Sequence, residues 1–304
     1  MSEPTIDRRD FLATGAATLA AVALSGQPAQ AAEPKLKLHK AVKLSMVGGN
    51  EPLLKKFKML KEIGYEGIDI DSPQKMDEVL KARDESGLIV HGVVDYVHWR
   101  QPLSDADPEV RAQGVETLIQ CLKDSKAYGG TTVLLVPAVV NKNVTYAQAY
   151  ERSQAEIKKA LPTAQELSVK ILFENVWNNF LLSPLETARY IDEFESPMVG
   201  SYFDIGNVVR YGWPEDWIQT LGKRIGKLDI KEYDRKLAGD QGVYKGFSAE
   251  LGDAADGCDW PAVLVALKEI GFSGWATAEV AGGDKARLTE VSQRMDKILA
   301  GYGV

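Results

Sequence analysis

The chain is predicted to be an α/β protein, a single (β/α)8 barrel, on three observations. Eight strand-like runs alternate with eight amphipathic helical stretches. One helix, glycine, strand phrase recurs near both ends, as EIGYEGIDI and EIGFSGWATAEV. No linker, low-complexity tract or charge block interrupts the alternation between Lys40 and Tyr302. Strands alternating with helices read as a parallel sheet, and eight such units close a barrel. A doubly wound sheet needs a glycine-rich phosphate turn after its first strand. The one candidate, Val47-Gly48-Gly49-Asn50, lacks that spacing.

The first 31 residues read as an address rather than as fold. Asp7-Arg8-Arg9-Asp10-Phe11-Leu12 is a twin-arginine pattern, followed by a weakly apolar run and the small-x-small cleavage site Ala29-Gln30-Ala31. That run is short and rich in Ala and Gly, whereas a spanning helix wants ~20 apolar residues. The expectation is a signal at 1–31, a barrel over 32–304, export to the periplasm or beyond, and no stable membrane insertion after cleavage. An uncleaved N-terminal anchor is the alternative. Export of folded cargo by this route fits a protein that acquires a metal first.

Strands are expected at Val42 to Val47, Gly67 to Ile70, Leu88 to Val94, Thr131 to Val136, Val169 to Glu174, Val199 to Asp204, Ile225 to Ile230 and Gly274 to Glu279. Helical periodicity covers Leu53 to Ile63, Met76 to Glu85, Pro108 to Tyr128, Tyr146 to Leu167, Pro184 to Phe194, Glu215 to Leu221, Trp260 to Ile270 and Asp284 to Ala300. Gly64, Gly87, Gly129 and Gly271 stand where C-terminal caps belong, and Pro52, Pro108, Pro184 and Pro261 near helix starts. Tyr211-Gly212-Trp213-Pro214 and Asp259-Trp260-Pro261 read as helix-start packing.

At 45% hydrophobic and 26% charged, the composition is that of a globular chain with enough apolar material for one core. The formal charge of −7 disfavours a polyanionic partner, so no nucleic acid is expected. Two cysteines, Cys121 and Cys258, exclude a disulfide framework and read as free thiols. A homo-oligomer is neither specified nor excluded.

Chemistry concentrates in four segments, ILFEN, SYFDIGN, KLDIKEY and ATAEV, which end strands five to eight on Glu174, Asp204, Asp229 and Glu279. Active sites of such barrels lie at the C-terminal strand ends, and side-chain alternation turns every second residue inward. Four acids meeting there repel one another unless a cation neutralises them or some hold protons. The bland alternative is acids that cap helices or pair with barrel lysines.

These segments, with YFDIGNVVRYG and LGDAADGCDWPAVLVALKEIGFSGWATAEV, resemble the xylose-isomerase-like barrel superfamily of sugar isomerases and epimerases over essentially all of 32–304. Tagatose and ribulose 3-epimerases, hydroxypyruvate isomerase, inosose dehydratase and an apurinic-site endonuclease share that barrel. The resemblance implies one divalent cation held by a Glu, an Asp, a His and a Glu from strands five to eight. Glu174, Asp204 and Glu279 match the first, second and fourth. Asp229 stands where the family has His, which favours Mn²⁺ or Mg²⁺ over Zn²⁺. Lys231 shares its inward parity, and a Lys231 to Asp229 pair would exclude the ion.

The resemblance further implies Glu174 and Glu279 as catalytic acid and base. One removes a proton beside a sugar carbonyl to give an enediolate and the other returns it. The same parts serve a lyase, dehydratase or hydrolase acting on keto-sugars or 3-keto-glycosides. A non-catalytic sugar-binding barrel is a further alternative. Substrate-facing candidates are His98 and Trp99 after strand three, Trp177 after Glu174, Asn207 after Asp204, Lys231, and His91 within strand three; a ring stacks on a sugar face while polar groups take its hydroxyls. Asn178 and Arg210 are similar candidates. The endonuclease reading fails on histidine number, since only His39, His91 and His98 occur. Export and the lack of a phosphate loop point to a non-phosphorylated sugar.

Overall fold

Left-handed glycines close the helices that feed the strands. Gly64 and Gly129, at φ 104° and 91°, end the helices before the second and fourth strands, and each amide donates back to carbonyls of the last turn. The computed structural model describes residues 37–302. The expected signal at 1–31 lies outside them.

The strands are β1 (Leu38–Lys43), β2 (Gly67–Ser72), β3 (Ile89–Asp95), β4 (Thr132–Leu135), β5 (Lys170–Glu174), β6 (Val199–Asp204), β7 (Ile225–Ile230) and β8 (Gly274–Ala278). They form one closed barrel in chain order, with parallel pairing throughout and β1 joined to β8. The helices are α1 (Leu53–Ile63), α2 (Met76–Ser86), α3 (Pro108–Tyr128), α4 (Tyr146–Leu167), α5 (Pro184–Asp192), α6 (Ile205–Val209), α7 (Pro214–Leu221), α8 (Arg235–Gln241), α9 (Trp260–Glu269) and α10 (Lys285–Leu299). The barrel prediction is therefore met.

Three local differences matter. β1 starts at Leu38 rather than Val42, because Leu38 to Val42 pair with Gly274 to Ala278 of β8. The apolar residues after it form a 3₁₀ turn, Leu44–Met46. Glu279 lies one residue past β8, yet its amide still donates to the Ile230 carbonyl, so the ladder continues through it. The long connection from Lys231 to Asp259 holds α8 and a 3₁₀ stretch, Val243–Ser248, neither expected from periodicity.

The main core fills the space between sheet and helices, where Ile68, Val133, Ile171, Phe203 and Leu228 meet Leu60, Leu122, Ile157 and Val291. Inside the barrel a small apolar plug of Leu134, Leu172 and Tyr202 is backed by Val94. Beside it lies a buried polar layer: Tyr202 donates to Asp69 at 2.5 Å, and the Lys227 ammonium stands 3.6 Å from Asp69 and hydrogen-bonds His91. Among the described residues no helix is long and apolar enough to cross a membrane. Both cysteines are free, as expected.

Candidate active site

Strand alternation sets the site. On β7, Lys227 and Asp229 point into the barrel and Lys231 follows with the same parity; on β6, Tyr202 and Asp204 do so. Asp204 and Asp229 are direct register partners. One carboxylate oxygen each from Glu174, Asp204, Asp229 and Glu279 lies within 4.8 Å of all the others. The four acids named from sequence therefore meet at one point.

Two lysines join them. Lys43, the last residue of β1, places its ammonium 2.7 Å from Asp229 Oδ2, 3.1 Å from Glu279 Oε1 and 3.9 Å from Glu174 Oε1. Lys231 Nζ stands 2.9 Å from Asp204 Oδ2 and 2.8 Å from Glu279 Oε2. The Lys231 to Asp229 pair that would exclude an ion does not form, because Lys43 pairs with Asp229 and Lys231 reaches sideways to Asp204 and Glu279. Glu279 is shared by both ammoniums.

Burial and charge then set the protonation of each acid. Burial pushes the Glu174 carboxyl up to about 8; Lys43 opposes this and Glu279 adds to it. Burial likewise takes Asp204 to about 6 against Lys231. Asp229 is raised well above the usual range by burial, with Lys43 opposing and Glu279 and Glu174 adding. Burial works on Glu279 in the same direction, but Lys43 and Lys231 outweigh it and hold this carboxylate far below its ordinary value. One glutamate thus keeps a proton near neutrality while the other does not.

The donor set fits a hard divalent cation. Asp204 Oδ2, Asp229 Oδ1 and Glu279 Oε2 are buried without a well-aligned hydrogen-bond donor; the first and third share the single Lys231 ammonium, and Asp229 Oδ1 has no positive partner of its own. Fully ionised, four carboxylates against two ammoniums carry a formal excess of two negative charges, which a divalent ion would cancel while displacing the protons that burial holds on Glu174 and Asp229. Glu174, Asp204, Asp229 and Glu279 are the residues that would hold it.

Above the acids opens a cleft of about 380 Å³, lined on one side by Lys43, Asp71, His98 and Trp99 and on the other by Trp177, Asn207, Tyr244 and Phe247. Of the substrate-facing candidates, His98, Trp99, Trp177, Asn207 and Lys231 line it. His98 is buried, held neutral by burial, which takes its ring down to about 3, and accepts from the Val136 amide at Nδ1. Trp99 stands half-exposed at the rim, edge-on to His98. Trp177 donates from Nε1 to the Asn207 carbonyl at 2.9 Å, and the Asn207 backbone amide donates to Asp204 Oδ1 at 2.8 Å, so that Asp204 caps α6.

His91 is not brought to the cleft. It lies inside the barrel, stacked on Trp275 at 4.4 Å and 3.2 Å from Asp69, because its strand position turns it toward the polar layer below the acids. Asn178 is likewise structural in position, donating to the Ala138 carbonyl. Arg210 stacks over Trp177 and Tyr211.

Sequence reasoning missed Lys43, Tyr244, Phe247 and Glu232. Lys43 was enclosed in a run read as strand, and its strand parity, once β1 is placed correctly, was the available signal. Glu232 accepts from the Gly252 amide at 3.0 Å, the Cys258 amide at 3.0 Å and the Trp260 indole at 2.9 Å, and so ties down the long loop that carries Tyr244 and Phe247.

The family model of the xylose isomerase-like TIM barrel matches residues 57–298. The chain belongs to the xylose isomerase-like TIM-barrel family. Proteins with assigned activities are similar to parts of it. The L-ribulose-5-phosphate 3-epimerase of Escherichia coli O1:K1 / APEC is 23% identical over 266 residues, 80% of this chain and 90% of that protein. The 2-epi-5-epi-valiolone 7-phosphate 2-epimerase of Actinoplanes is 24% identical over 154 residues, and there the chain spans only about half (53%) of its relative. Among solved xylose isomerase-like barrels, a 3-keto-D-glucoside 4-epimerase from E. coli superposes with a TM-score of 0.72 at 16% identity, over 87% of this chain and all (100%) of that one. A D-psicose 3-epimerase gives 0.72 at 16%, over 88% and 100%. These superpositions speak to the shared barrel.

Proposed function

We propose that this xylose isomerase-like barrel is a divalent-metal-dependent isomerase or epimerase that moves a proton at the carbon beside the carbonyl of a non-phosphorylated sugar. The observation that carries this reading is the convergence of Glu174, Asp204, Asp229 and Glu279 at the C-terminal strand ends, within 4.8 Å of one another. The assigned relatives named above are sugar or cyclitol epimerases, which supports the same chemistry here.

The chain's own residues divide the work. Glu279, ionised, is the base that takes the proton. Glu174, whose carboxyl burial raises to about 8 in the ion-free cluster, is the partner group that returns one to the opposite face or the neighbouring carbon. The negative charge that develops on the substrate oxygens as the proton leaves lies against the ammoniums of Lys43 and Lys231, which both line the cleft. A cation bound by the four acids would supply Lewis acidity toward the carbonyl and the adjoining hydroxyl. Trp99, Trp177 and Tyr244 offer faces for the apolar side of the sugar, and neutral His98 and Asn207 its hydroxyl partners.

A phosphorylated substrate is disfavoured by charge. Among the described residues the only cations lining the cleft are Lys43 and Lys231, both already paired with carboxylates, and Asp71 adds a further acid. The twin-arginine pattern at 1–31 fits an exported enzyme, where such sugars are found without phosphate.

Elemental analysis of the purified protein tests the reading, beside a Glu174→Gln/Glu279→Gln double variant matched for folding. Near-stoichiometric Mn or Mg, lost in the variant, together with solvent deuterium entering a ketose or 3-keto-glycoside, is the expected result. No metal after incubation with excess Mn²⁺ would overturn it. Replacement of Arg8 and Arg9 by Lys, followed by fractionation, tests export: the protein should then stay in the cytoplasm.

A further inference from the structure

We propose that Lys43 is a built-in counter-cation of the carboxylate cluster, which shares three of the four carboxylates with the divalent ion, weakens its binding and keeps the ion-free barrel intact. The inference rests on the metal reading above and gives Lys43 a second role, toward the ion, that is measured without substrate.

Lys43 shares its partners with the ion. Its ammonium touches Asp229 at 2.7 Å and Glu279 at 3.1 Å and lies 3.9 Å from Glu174, so three of the four acids face one fixed positive charge. It is also trapped. Its side chain is 6% exposed, against 19% for Lys231, and its ammonium packs 5.5 Å from the Tyr202 ring on the inner side of the barrel. Both lysines line the cleft, but Lys43 is the more buried and faces three of the four acids, whereas Lys231 faces two. A positive charge fixed against shared ligands repels a divalent cation, and without it four converging carboxylates, three of them buried, have one cation fewer to hold them together.

A lysine that only fills space at the end of β1 would leave metal affinity unmoved when replaced by an apolar side chain of similar length. The two roles therefore separate on a binding measurement that needs no substrate.

The test uses the full chain, with Mn²⁺ as probe, read by electron paramagnetic resonance and by thermal unfolding in chelator and in Mn²⁺. Lys43→Met is expected to bind Mn²⁺ at least tenfold more tightly than the native protein, to melt earlier in chelator, and to regain that loss when Mn²⁺ is added. Lys43→Gln, which keeps a polar side chain, serves if Lys43→Met does not fold in chelator, and carries the same expectation. Unchanged or weaker Mn²⁺ binding in a folded Lys43 variant, with the native protein binding normally, overturns this inference alone. If the native protein binds no Mn²⁺ and the variant does, the metal dependence proposed for the native enzyme fails while the role of Lys43 stands. Binding by neither overturns both.

Discussion

Glu174 and Glu279 bring carboxylate oxygens within 4.8 Å of each other, yet their surroundings drive their protonation in opposite directions. Glu279 faces two ammoniums, whereas Glu174 has one at 3.9 Å and is otherwise enclosed. Opposed environments of this kind assign acid and base. Replacing either glutamate by Gln should lower kcat/KM by roughly 10²–10⁴-fold. Deuterium exchange separates the two: Glu174→Gln should still wash solvent deuterium into the epimer whose proton faces Glu279, and Glu279→Gln should not. Equal exchange in both variants would sink the assignment.

Asp95, at the end of β3, gives the fold a pH dependence of its own. Burial raises its carboxyl from 3.8 to about 6, with hydrogen bonds from the Val97 and His98 amides opposing. For an acid raised on folding, the native state binds more protons than the unfolded chain between those values, so stability is highest below about 4 and falls as pH rises through about 6. The loss is on the order of 2–3 kcal/mol at one pKa unit per 1.36 kcal/mol. Asp95→Asn should remove this slope and be the more stable protein at pH 8 in urea unfolding; a native-like slope in the variant would show that the dependence lies elsewhere.

The fold was legible because its signals are local: the glycine at Gly64, the capping proline at Pro184 and the apolar strand runs each act within a few residues. The four acids were legible for the same reason, each ending its own strand. Lys43 was not, because its meaning lies in Asp229, 186 positions away, and no spacing announces a pair across a closed barrel. His91 misled because a histidine in a strand has two faces, and the register that sends it toward Trp275 is a tertiary property. The loop after β7 lacks a clear periodicity, since buried carboxylates, Glu232 and Asp234, organise it rather than an apolar face.

That role of Glu232 predicts a specific loss. Three donors, the Gly252 and Cys258 amides and the Trp260 indole, converge on its carboxylate within 3.0 Å. Glu232→Ala leaves all three without a protein partner, at about 1 kcal/mol each, so a destabilisation of about 3 kcal/mol is expected in urea unfolding. Hydrogen exchange should rise first at Gly252 and Cys258. A loss spread evenly over the barrel would mean that Glu232 acts on the core rather than on the loop.

Tyr244 is the member of that loop whose exposure argues for a ligand. It is 75% exposed, yet it stands 5.5 Å from Trp177 at the cleft wall, beside Phe247. So open an aromatic ring adds little to stability, whereas a stacked sugar would cover it. An aromatic contact is worth about 0.5–1.5 kcal/mol, so Tyr244→Ala should raise KM by roughly 2- to 12-fold with kcat unchanged. Its melting temperature should match that of the native protein. A fall in kcat at constant KM would instead place Tyr244 in the chemical step, and a drop in melting temperature would make it part of the scaffold.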